Sequence, residues 1–467
     1  MKYITIEQAQ EPISLWSSFA DAEKVYWYNP VRQQTIFAAV RAAAFGVETF
    51  DDTASTHSSE YPYLWYSETF FPNTKSDLWA GMGNEVVGFN YYYVQDEAGA
   101  RWFVPEHNDE VRLKVEGLAK SSGASCALRV SAGAKESHVT KTFEVSKEFG
   151  GTNTSGGSNT FEGAKTFEET NEFGVKANRD NSLTLEEATD SLASMHQAYT
   201  ISTDDYEDWH TFFSVIQDTI QSGKAVKIVA SRAVKLESEV SFDIDLMLRG
   251  LQRNNPSSFV FAYAKGDAVF IGATPEILVQ KNQSHVLSYA LAGTIKKQSP
   301  TDRAAGQALL EDPKNCHEHA IVVDMIKSTM KTLSSRVEAE EMGLMELKNL
   351  FHLRTIITAE GGAPNILTWA HALHPTPAMG GQPREVALDV LAKAEPQERG
   401  LYAAPLGFLE TNGNGHLDGT IVVGIRSALV KDNIAYAYAG CGIVGDSDCL
   451  SEYEETKTKL GTILEVL

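Results

Sequence analysis

Cysteine is scarce in this sequence, with 4 residues among 467. Cys126, Cys316, Cys441 and Cys449 have neither the spacing of a zinc site nor the density of a secreted disulfide scaffold. These two classes of domain are therefore excluded. We expect a protein of a reducing, cytoplasmic compartment.

Long apolar runs are also lacking. No stretch approaches the roughly 18 apolar residues of a membrane span, and the N-terminal residues MKYITIEQAQEPISLW lack the basic start and apolar run of a signal peptide. We therefore expect neither a membrane anchor nor secretion.

Positive charge is in deficit, because Lys and Arg number 40 against 62 Asp and Glu, a formal net charge of −22. Such a chain repels nucleic-acid backbones and anionic lipid surfaces unless a local basic site overrides the mean field. An anionic substrate would need local cations of its own.

What is present is the composition of a globular protein, with 43% apolar and 22% charged residues. These fractions exclude a disordered, collagen-like or coiled-coil chain. The length of 467 residues is about three times that of a typical domain, which predicts two or three domains or one unusually large one.

The chain divides into three regions by composition. Residues 1–135 are rich in aromatic residues and predict strands and loops without a catalytic motif. Residues 136–185 are poor in aliphatic residues and contain a near-duplication, in which Lys141–Glu144 recurs as Lys165–Glu168. We interpret this region as a flexible surface insertion, with a binding element as the alternative. Residues 186–467 have a regular pattern and carry the candidate chemistry.

The regular region predicts helices and tightly turned strands. Apolar spacing indicates a helix over Tyr206–Ser222 that ends at Gly223, and another over His319–Met330. Three hairpins are predicted, with turns at residues 265–267, near Asn282 and at residues 432–433, and the strand before the last turn reads TIVVGIRSALV. Tight turns join antiparallel strands, so the fold class is mixed α+β.

Two residues in this region are candidates for acid–base chemistry. Lys227 lies in an apolar strand predicted over Ala225–Ser231, and burial would favour its neutral amine, which is a usable base. The alternative is a lysine that protects an edge strand. Glu276 follows Pro275 in a rigid turn and suits proton donation, whereas the alternative is a carboxylate at a helix start.

Carboxylates farther along the chain are candidates for a hard metal ion. Glu318 lies in NCHEHAIVVD, whose histidine spacing does not fit a zinc helix. Glu452, Glu455 and Lys459 share one face of the C-terminal helix, which could hold Mg²⁺ together with an anion. Solvated helix faces are the alternative in both places. The turn Gly440–Gly445 just upstream could offer backbone N–H groups to an anion.

Eight motifs in order resemble the chorismate-utilising enzymes, over about residues 205–467: KIVASR, IGATPE, LAGT, NCHEHAIVVD, HPTPAMGG, GIRS, AGCGIVGDSD and SEYEETKTKL. The resemblance implies a single large α/β domain of two stacked, mostly antiparallel sheets with outer helices. It also implies a Mg²⁺ cofactor. One domain then replaces the two or three suggested by length, and residues 1–135 become the variable half of the same fold.

The resemblance also implies residue roles. Lys227 corresponds to the base that activates water for attack on C2 of chorismate, and Glu276 to the acid that protonates the departing C4 hydroxyl. Glu318 and Glu455 correspond to the magnesium ligands, with Glu452 beside them acting through water. The substrate-binding set implied by the motifs is Gly293, Thr294, His374, Ala378, Tyr402, Arg426, Gly440, Cys441, Gly442 and Lys459.

Two positions direct the choice of subfamily. Ammonia-using relatives carry glutamine where Lys227 stands, so lysine favours water as the nucleophile and no obligatory glutaminase subunit. Ala378 resembles isochorismate synthases, where salicylate synthases tend to have threonine. The form ALAGTIKK favours menaquinone supply over siderophore supply. The alternatives are a salicylate synthase, a siderophore-pathway isochorismate synthase, and a chorismate-binding subunit that is inactive alone.

Two cysteines depart from the family pattern. Cys441 stands where many relatives have alanine or glycine, and Cys449 stands where proline is frequent. The change at Cys441 is small in volume, so we expect the backbone contacts of this turn to survive it.

Overall fold

The structure is a computed structural model that describes residues 3–7, 10–47, 50, 60–72, 76–105, 199–201, 206–299, 301–363, 365–412 and 415–467. These residues belong to one compact unit. None of their helices is both long and apolar enough to cross a lipid bilayer. The duplicated segment and the rest of residues 136–185 lie outside the described residues, so the surface insertion stays a prediction.

The described residues form twenty strands and eight α-helices. The strands are β1 (Tyr3–Glu7), β2 (Lys24–Asn29), β3 (Gln34–Gly46), β4 (Leu64–Ser67), β5 (Glu85–Asp96), β6 (Gly99–Pro105), β7 (Tyr199–Ile201), β8 (Lys227–Ser238), β9 (Phe259–Lys265), β10 (Ala268–Thr274), β11 (Ile277–Asn282), β12 (His285–Lys296), β13 (Arg336–Ala339), β14 (Gly343–Glu346), β15 (Leu350–Glu360), β16 (Gly381–Gln382), β17 (Pro405–Thr411), β18 (Leu417–Val423), β19 (Ser427–Lys431) and β20 (Ile434–Ile443). The helices are α1 (Leu15–Ser18), α2 (Tyr206–Gln221), α3 (Ile244–Asn254), α4 (Arg303–Glu311), α5 (Pro313–Leu333), α6 (Ile366–Leu373), α7 (Arg384–Ala394) and α8 (Cys449–Leu464).

All the ladders among these strands are antiparallel, and they form two layers. The first layer runs in the order β1-β6-β5-β3-β2-β9-β10-β19-β20-β8, and the second in the order β17-β18-β11-β12-β15. Strand β4 joins them, because it pairs with β5 on one side and with β17 on the other. The two layers are therefore parts of one continuous hydrogen-bonded network.

Aromatic side chains fill the space between the layers. Trp27 of the first layer meets Phe408 of the second with ring centroids 6.2 Å apart. Trp65 of β4 likewise lies 5.6 Å from Tyr263 of the first layer. Because a large aromatic ring removes much apolar area from water, these contacts stabilise the stacking of the layers.

Helices cover the outer faces. Leu248 and Leu251 of α3 and Leu460 and Ile463 of α8 are buried in a second core against the first layer. Helices α5 and α6 pack on strands of the second layer. The expected single large domain of two stacked antiparallel layers with outer helices is confirmed.

Most local predictions hold, but one predicted strand is broken in two. The three predicted hairpins are present as β9–β10, β11–β12 and β19–β20. The stretch predicted as one strand, residues 420–430, is instead broken between β18 and β19, and Arg426 in the break has φ of +52°. Apolar alternation does not reveal such a break, because the residues on both sides of it are buried strands.

One buried ion pair within the second layer should be essential for stability. Lys281 Nζ lies 2.6 Å from Asp418 Oδ1, and the two side chains are 3% and 5% exposed. Asp418→Ala leaves the ammonium group buried without its carboxylate. We expect the free energy of unfolding in urea to fall by about 3 kcal/mol.

An exposed pair provides the matched control. Lys393 and Asp389 on α7 are 71% and 60% exposed, with their charged atoms 2.6 Å apart. Asp389→Ala should change the free energy of unfolding by less than about 0.5 kcal/mol, because water already solvates both groups. Equal losses in the two variants would contradict the role assigned to burial.

Candidate active site

A pocket enclosing about 720 Å³, including its open mouth, lies where β8, β12, β20, α5 and α8 meet. It collects residues from distant parts of the chain. All but two of the fifteen predicted site residues line it, namely Lys227, Glu276, Gly293, Thr294, Glu318, Ala378, Tyr402, Arg426, Gly440, Cys441, Gly442, Glu455 and Lys459. The other two, His374 and Glu452, are not among the lining residues.

Lys227 lies at the first position of β8 and is 1% exposed. Strand β8 pairs with β20 on one side and with the short strand β16 on the other, so Lys227 does not lie on an open edge. The interpretation of Lys227 as an edge-protecting lysine is therefore wrong. Its Nζ atom lies 2.6 Å from Oε1 of Glu318.

Glu318 reaches the pocket from the second turn of α5. Asp312 begins this helix, because its side chain accepts a hydrogen bond from the backbone N–H of Asn315 at 2.8 Å. The Glu318 side chain is only 16% exposed, so a solvated helix face is excluded. Burial alone would raise the pKa of Glu318, but the ammonium group of Lys227 outweighs it and the pKa is lowered.

Gly442 of β20 leaves room for this ion pair. A Cβ atom at position 442 would lie 2.5 Å from Oε1 of Glu318 and 2.6 Å from Cε of Lys227. Any side chain would have to displace one of the two. The turn predicted from Gly440 onward is wrong as far as Ile443, because these residues end strand β20 and pair with β8. Gly442 is needed there for the space that it leaves beside the ion pair.

Helix α8 supplies a second ion pair to the pocket, between Lys459 and Glu455. Lys459 Nζ lies 2.6 Å from Oε1 of Glu455 and donates to the carbonyl oxygen of Gly440 at 2.9 Å. Burial would lower the pKa of Lys459, but Glu455 raises it above the ordinary value. One face of α8 thus points into the pocket, and the solvated-face interpretation is wrong for these two residues.

Glu452 lies one turn before Glu455 and behind the pocket wall. Its Oε1 atom lies 3.3 Å from Nζ of Lys314, and the residue is 5% exposed. Burial raises the pKa of Glu452, and the neighbouring carboxylates of Glu455 and Glu318 raise it further. Three acidic groups are therefore close enough to interact electrostatically.

Glu276 occupies the turn between β10 and β11, and no helix begins there, so the helix-start interpretation is wrong. The residue is 3% exposed. Burial raises the pKa of Glu276 to about 8, against the opposing influence of Lys227, Lys459 and Arg426. At pH 7 its carboxyl group therefore holds a proton that it could donate.

Arg426 enters through the break between β18 and β19. Its Nη2 atom lies 2.8 Å from Nε2 of His352, whose Nδ1 atom lies 3.0 Å from Oγ1 of Thr294. Burial lowers the pKa of His352 well below its ordinary value, and Arg426 lowers it further. A neutral His352 therefore orients the guanidinium group towards the pocket.

The remaining predicted residues are placed as follows. Tyr402 stacks on Tyr438 with ring centroids 5.2 Å apart, and burial raises its pKa to about 12. Cys441 is a free thiol whose pKa burial raises well above its ordinary value, with Glu452 and Glu455 adding to the effect. His374 packs edge-on against Phe70, and burial lowers its pKa to about 3.

Several lining residues were not predicted, among them Ser231, His352, Arg399 and Tyr438. The alternation of β8 already places Ser231 on the face of Lys227, which is a signal that was available. His352 lies in an ordinary apolar strand, and Arg399 in a loop. Only their long-range contacts identify them.

The fit to a metal ion rests on donor chemistry. Within the described ranges, no group of three or more His, Cys, Asp or Glu side chains is arranged as a ready metal site. Glu318 and Glu455 nevertheless line one pocket, and Gly442 leaves the space beside Glu318 free of a side chain. Carboxylate oxygens are the ligands that Mg²⁺ takes. Burial is the main cause of the raised pKa of Glu452, and a divalent cation would offset the further contribution of the neighbouring carboxylates of Glu455 and Glu318. These residues therefore fit the cation.

The family model described as chorismate binding enzyme matches residues 161–467. This match covers more than half of the chain and contains every residue of the pocket. The protein belongs to the chorismate binding enzyme family.

Individual relatives agree with this assignment. Isochorismate synthase MenF of Bacillus subtilis is 37% identical over 267 residues, which are 56% of each protein. The salicylate biosynthesis isochorismate synthase of Pseudomonas aeruginosa is 38% identical over 272 residues, or 57% of this chain and 56% of that protein. Anthranilate synthase component 1 of Neisseria meningitidis is 31% identical over 282 residues, covering 59% of this chain and 56% of that protein. The chain thus spans about half the length of the curated relatives it matches.

Solved structures extend the similarity to the whole chain. MenF, the menaquinone-specific isochorismate synthase from Escherichia coli, superposes with a TM-score of 0.74 at 19% identity, covering 100% of this chain and 94% of that one. A putative 2,3-dihydroxybenzoate-specific isochorismate synthase, DhbC from Bacillus anthracis, gives a TM-score of 0.65 at 22% identity, covering 96% of each chain. At these identities the likeness establishes the shared fold.

The raised pKa of Glu276 predicts a stability gain on substitution. In the unfolded chain this carboxyl group ionises near pH 4.5, but in the folded chain only near pH 8. The folded state therefore loses stability relative to the unfolded state as the pH rises between these values. Glu276→Gln removes this loss and should raise the free energy of unfolding at pH 7 by on the order of 2–3 kcal/mol.

Urea denaturation at pH 5 and pH 7 checks this expectation. The difference between wild type and Glu276→Gln should be small at pH 5, where the native carboxyl group is neutral and the unfolded one is only partly ionised. A variant that is equally destabilised at both pH values would show that the carboxyl group is ionised in the native pocket.

Proposed function

We propose that this protein is a Mg²⁺-dependent isochorismate synthase, an isomerase that converts chorismate to isochorismate. The observation that carries the proposal is the burial of Lys227 and Glu276 in one pocket, with the pKa of Glu276 at about 8. A buried lysine and a protonated carboxyl group are what a reaction needs when it adds water at one carbon and removes hydroxide from another. Relatives described as isochorismate synthases, at 36–38% identity, support it.

The pocket suits a substrate with two carboxylates. Chorismate is a dianion, whereas the chain as a whole carries a net charge of −22. Arg426 and Lys459 bring cationic groups to the pocket walls, and Gly440 and Gly442 expose their backbone there. Local cations thus oppose the unfavourable mean field.

Lys227 and Glu276 divide the proton transfers between them. Lys227 is an ammonium group while it pairs with Glu318, so it must first release a proton to solvent. As the neutral amine it then takes a proton from the water that attacks C2, and the ring double bonds shift towards C4. Glu276 gives its proton to the departing C4 hydroxyl, which leaves as water. One water is added and one is released, so the product is an isomer of the substrate.

Glu318 and Glu455 would hold the Mg²⁺ ion, with Glu452 acting through water. When bound, the ion supplies positive charge for the substrate carboxylate and helps the ring accept electron density. Lys227 and Lys459 each contact one of these carboxylates at 2.6 Å. Lys227 and Lys459, which neutralise the two metal-binding carboxylates, would therefore also lie next to the bound substrate.

The finer assignments follow from sequence. Lysine at position 227 supports water as nucleophile, so we propose activity without a glutaminase subunit and a cytoplasmic enzyme. Menaquinone supply stays a prediction from ALAGTIKK, because relatives with different pathway names match at similar identity.

A product assay tests the proposal. Purified protein is incubated with chorismate and Mg²⁺, with and without ammonia, and the products are separated by chromatography. We expect isochorismate in both cases from the chain alone. Anthranilate formed only with ammonia, or no turnover, would overturn the proposal, and salicylate with pyruvate would identify a salicylate synthase.

Lys227→Ala is the matched variant in that assay. Removal of a general base should lower kcat by about 10²–10⁴-fold, while the affinity for chorismate measured by calorimetry changes little, because the base acts mainly in the transition state. Activity at the wild-type level would refute the role of Lys227. Circular dichroism establishes that the variant is folded.

Gly442→Ala should weaken the metal site. The new Cβ atom displaces Glu318 or Lys227, so we expect the Mg²⁺ concentration for half-maximal activity to rise about tenfold or more. Gly445→Ala is the control, since the nearest atom to its Cβ would be Cγ2 of Ile220 at 3.9 Å. Equal Mg²⁺ dependence in the two variants would contradict the placement of the metal.

A further inference from the structure

Arg399 is the most deeply buried guanidinium group at the pocket, with 1% of the residue exposed. It forms a two-pronged ion pair with Glu395, in which Nε and Nη2 each lie 2.7 Å from a carboxylate oxygen. Both side chains of the pair are almost completely removed from water. Such a pair is costly to desolvate, so stability alone gives little reason to place it beside a pocket.

Other bonds of this pair tie together two walls of the pocket. Nη1 of Arg399 donates to the carbonyl oxygen of Met379 at 2.9 Å, and Nη2 donates to that of Val229 at 2.7 Å. Oε1 of Glu395 accepts from the backbone N–H of Ser231 at 2.9 Å and from its hydroxyl at 2.7 Å. Strand β8 and the segment 378–382 are thus held to the same two side chains.

These walls carry the proposed chemistry. Lys227, Val229 and Ser231 alternate along β8, and all three line the pocket. Ala378 and Met379 line it from the other segment, which is further joined to β8 by a hydrogen bond from Val229 N to Gly380 O at 2.9 Å. The position of the base relative to Ala378 therefore depends on the register between β8 and this segment.

The number of N–H donors already bonded to protein distinguishes Arg399 from an arginine that binds substrate. A guanidinium group has five N–H donors, and in Arg399 four are directed at protein oxygens. Little capacity remains for a carboxylate of the substrate. Arg426, in contrast, has one close nitrogen partner, His352, and a long 3.5 Å contact to Thr462.

We propose that Arg399, held by Glu395, is a positioning residue that fixes β8 and the segment 378–382 in the geometry that Lys227 needs for water attack. The inference rests on the proposed function for its kinetic part. Its structural part, the fixing of the two walls, stands independently of which reaction the pocket performs.

Arg399→Lys tests the kinetic part, because lysine keeps the charge but not the planar fork. We expect kcat for isochorismate formation to fall about 10–100-fold, while KM for chorismate changes less than about threefold. Asp418→Ala is the control, since it breaks an equally buried ion pair that does not line the pocket. It should lose stability yet keep the wild-type kcat at a temperature where both variants are folded.

Hydrogen–deuterium exchange tests the structural part without reference to turnover. In Arg399→Lys, peptides covering residues 227–231 and 378–382 should exchange faster, whereas those of β11 and β18 should not. Asp418→Ala should show the reverse pattern. If wild type makes no isochorismate, the proposed function fails while the exchange result still decides this inference. An unchanged kcat in Arg399→Lys, or exchange raised evenly over the chain, would overturn it.

Discussion

A charge removed from water must find a counter-charge or change its protonation, and this constraint organises the pocket. Lys227 meets Glu318, Lys459 meets Glu455, and Arg399 meets Glu395, each with charged atoms 2.6–2.7 Å apart. Glu276 instead changes its protonation, because burial raises its pKa to about 8. The same low-polarity surroundings thus produce both fixed ion pairs and a proton donor.

The fold makes this concentration of charge possible. Two antiparallel layers are stacked through aromatic rings, and helices α5 and α8 bring carboxylates to the pocket that these layers line. Glu318 and Lys227 are 91 residues apart in sequence, yet their charged atoms lie 2.6 Å apart. A side chain fixed on a strand or helix loses little further entropy on meeting its partner, which favours such precise pairs.

The net charge of −22 would oppose the anionic substrate that we propose unless cations were concentrated locally. Acidic residues are numerous over the whole chain, but the pocket walls present Lys227, Arg426 and Lys459 together. Two of these cations are balanced by the carboxylates that fit a divalent ion. Binding of substrate and metal would therefore exchange one set of ion pairs for another instead of burying new unpaired charge.

Local features of the fold were accessible from the sequence alone. The hairpin turns and the shared face of Glu455 and Lys459 depend on residues within a few positions of one another, and turn chemistry and periodicity report such short distances. Strand alternation, turn chemistry and helix spacing indicated the candidate acid, base and metal ligands with alternatives left open, and a family resemblance carried by short motifs assigned their roles. Only the tertiary structure decided that Arg426 lies in a strand break and that His352 orients it. It also decided that Arg399 contacts Val229, which lies 170 residues away in the sequence. These contacts depend on strand order and register across the whole chain, which no local pattern of residues encodes.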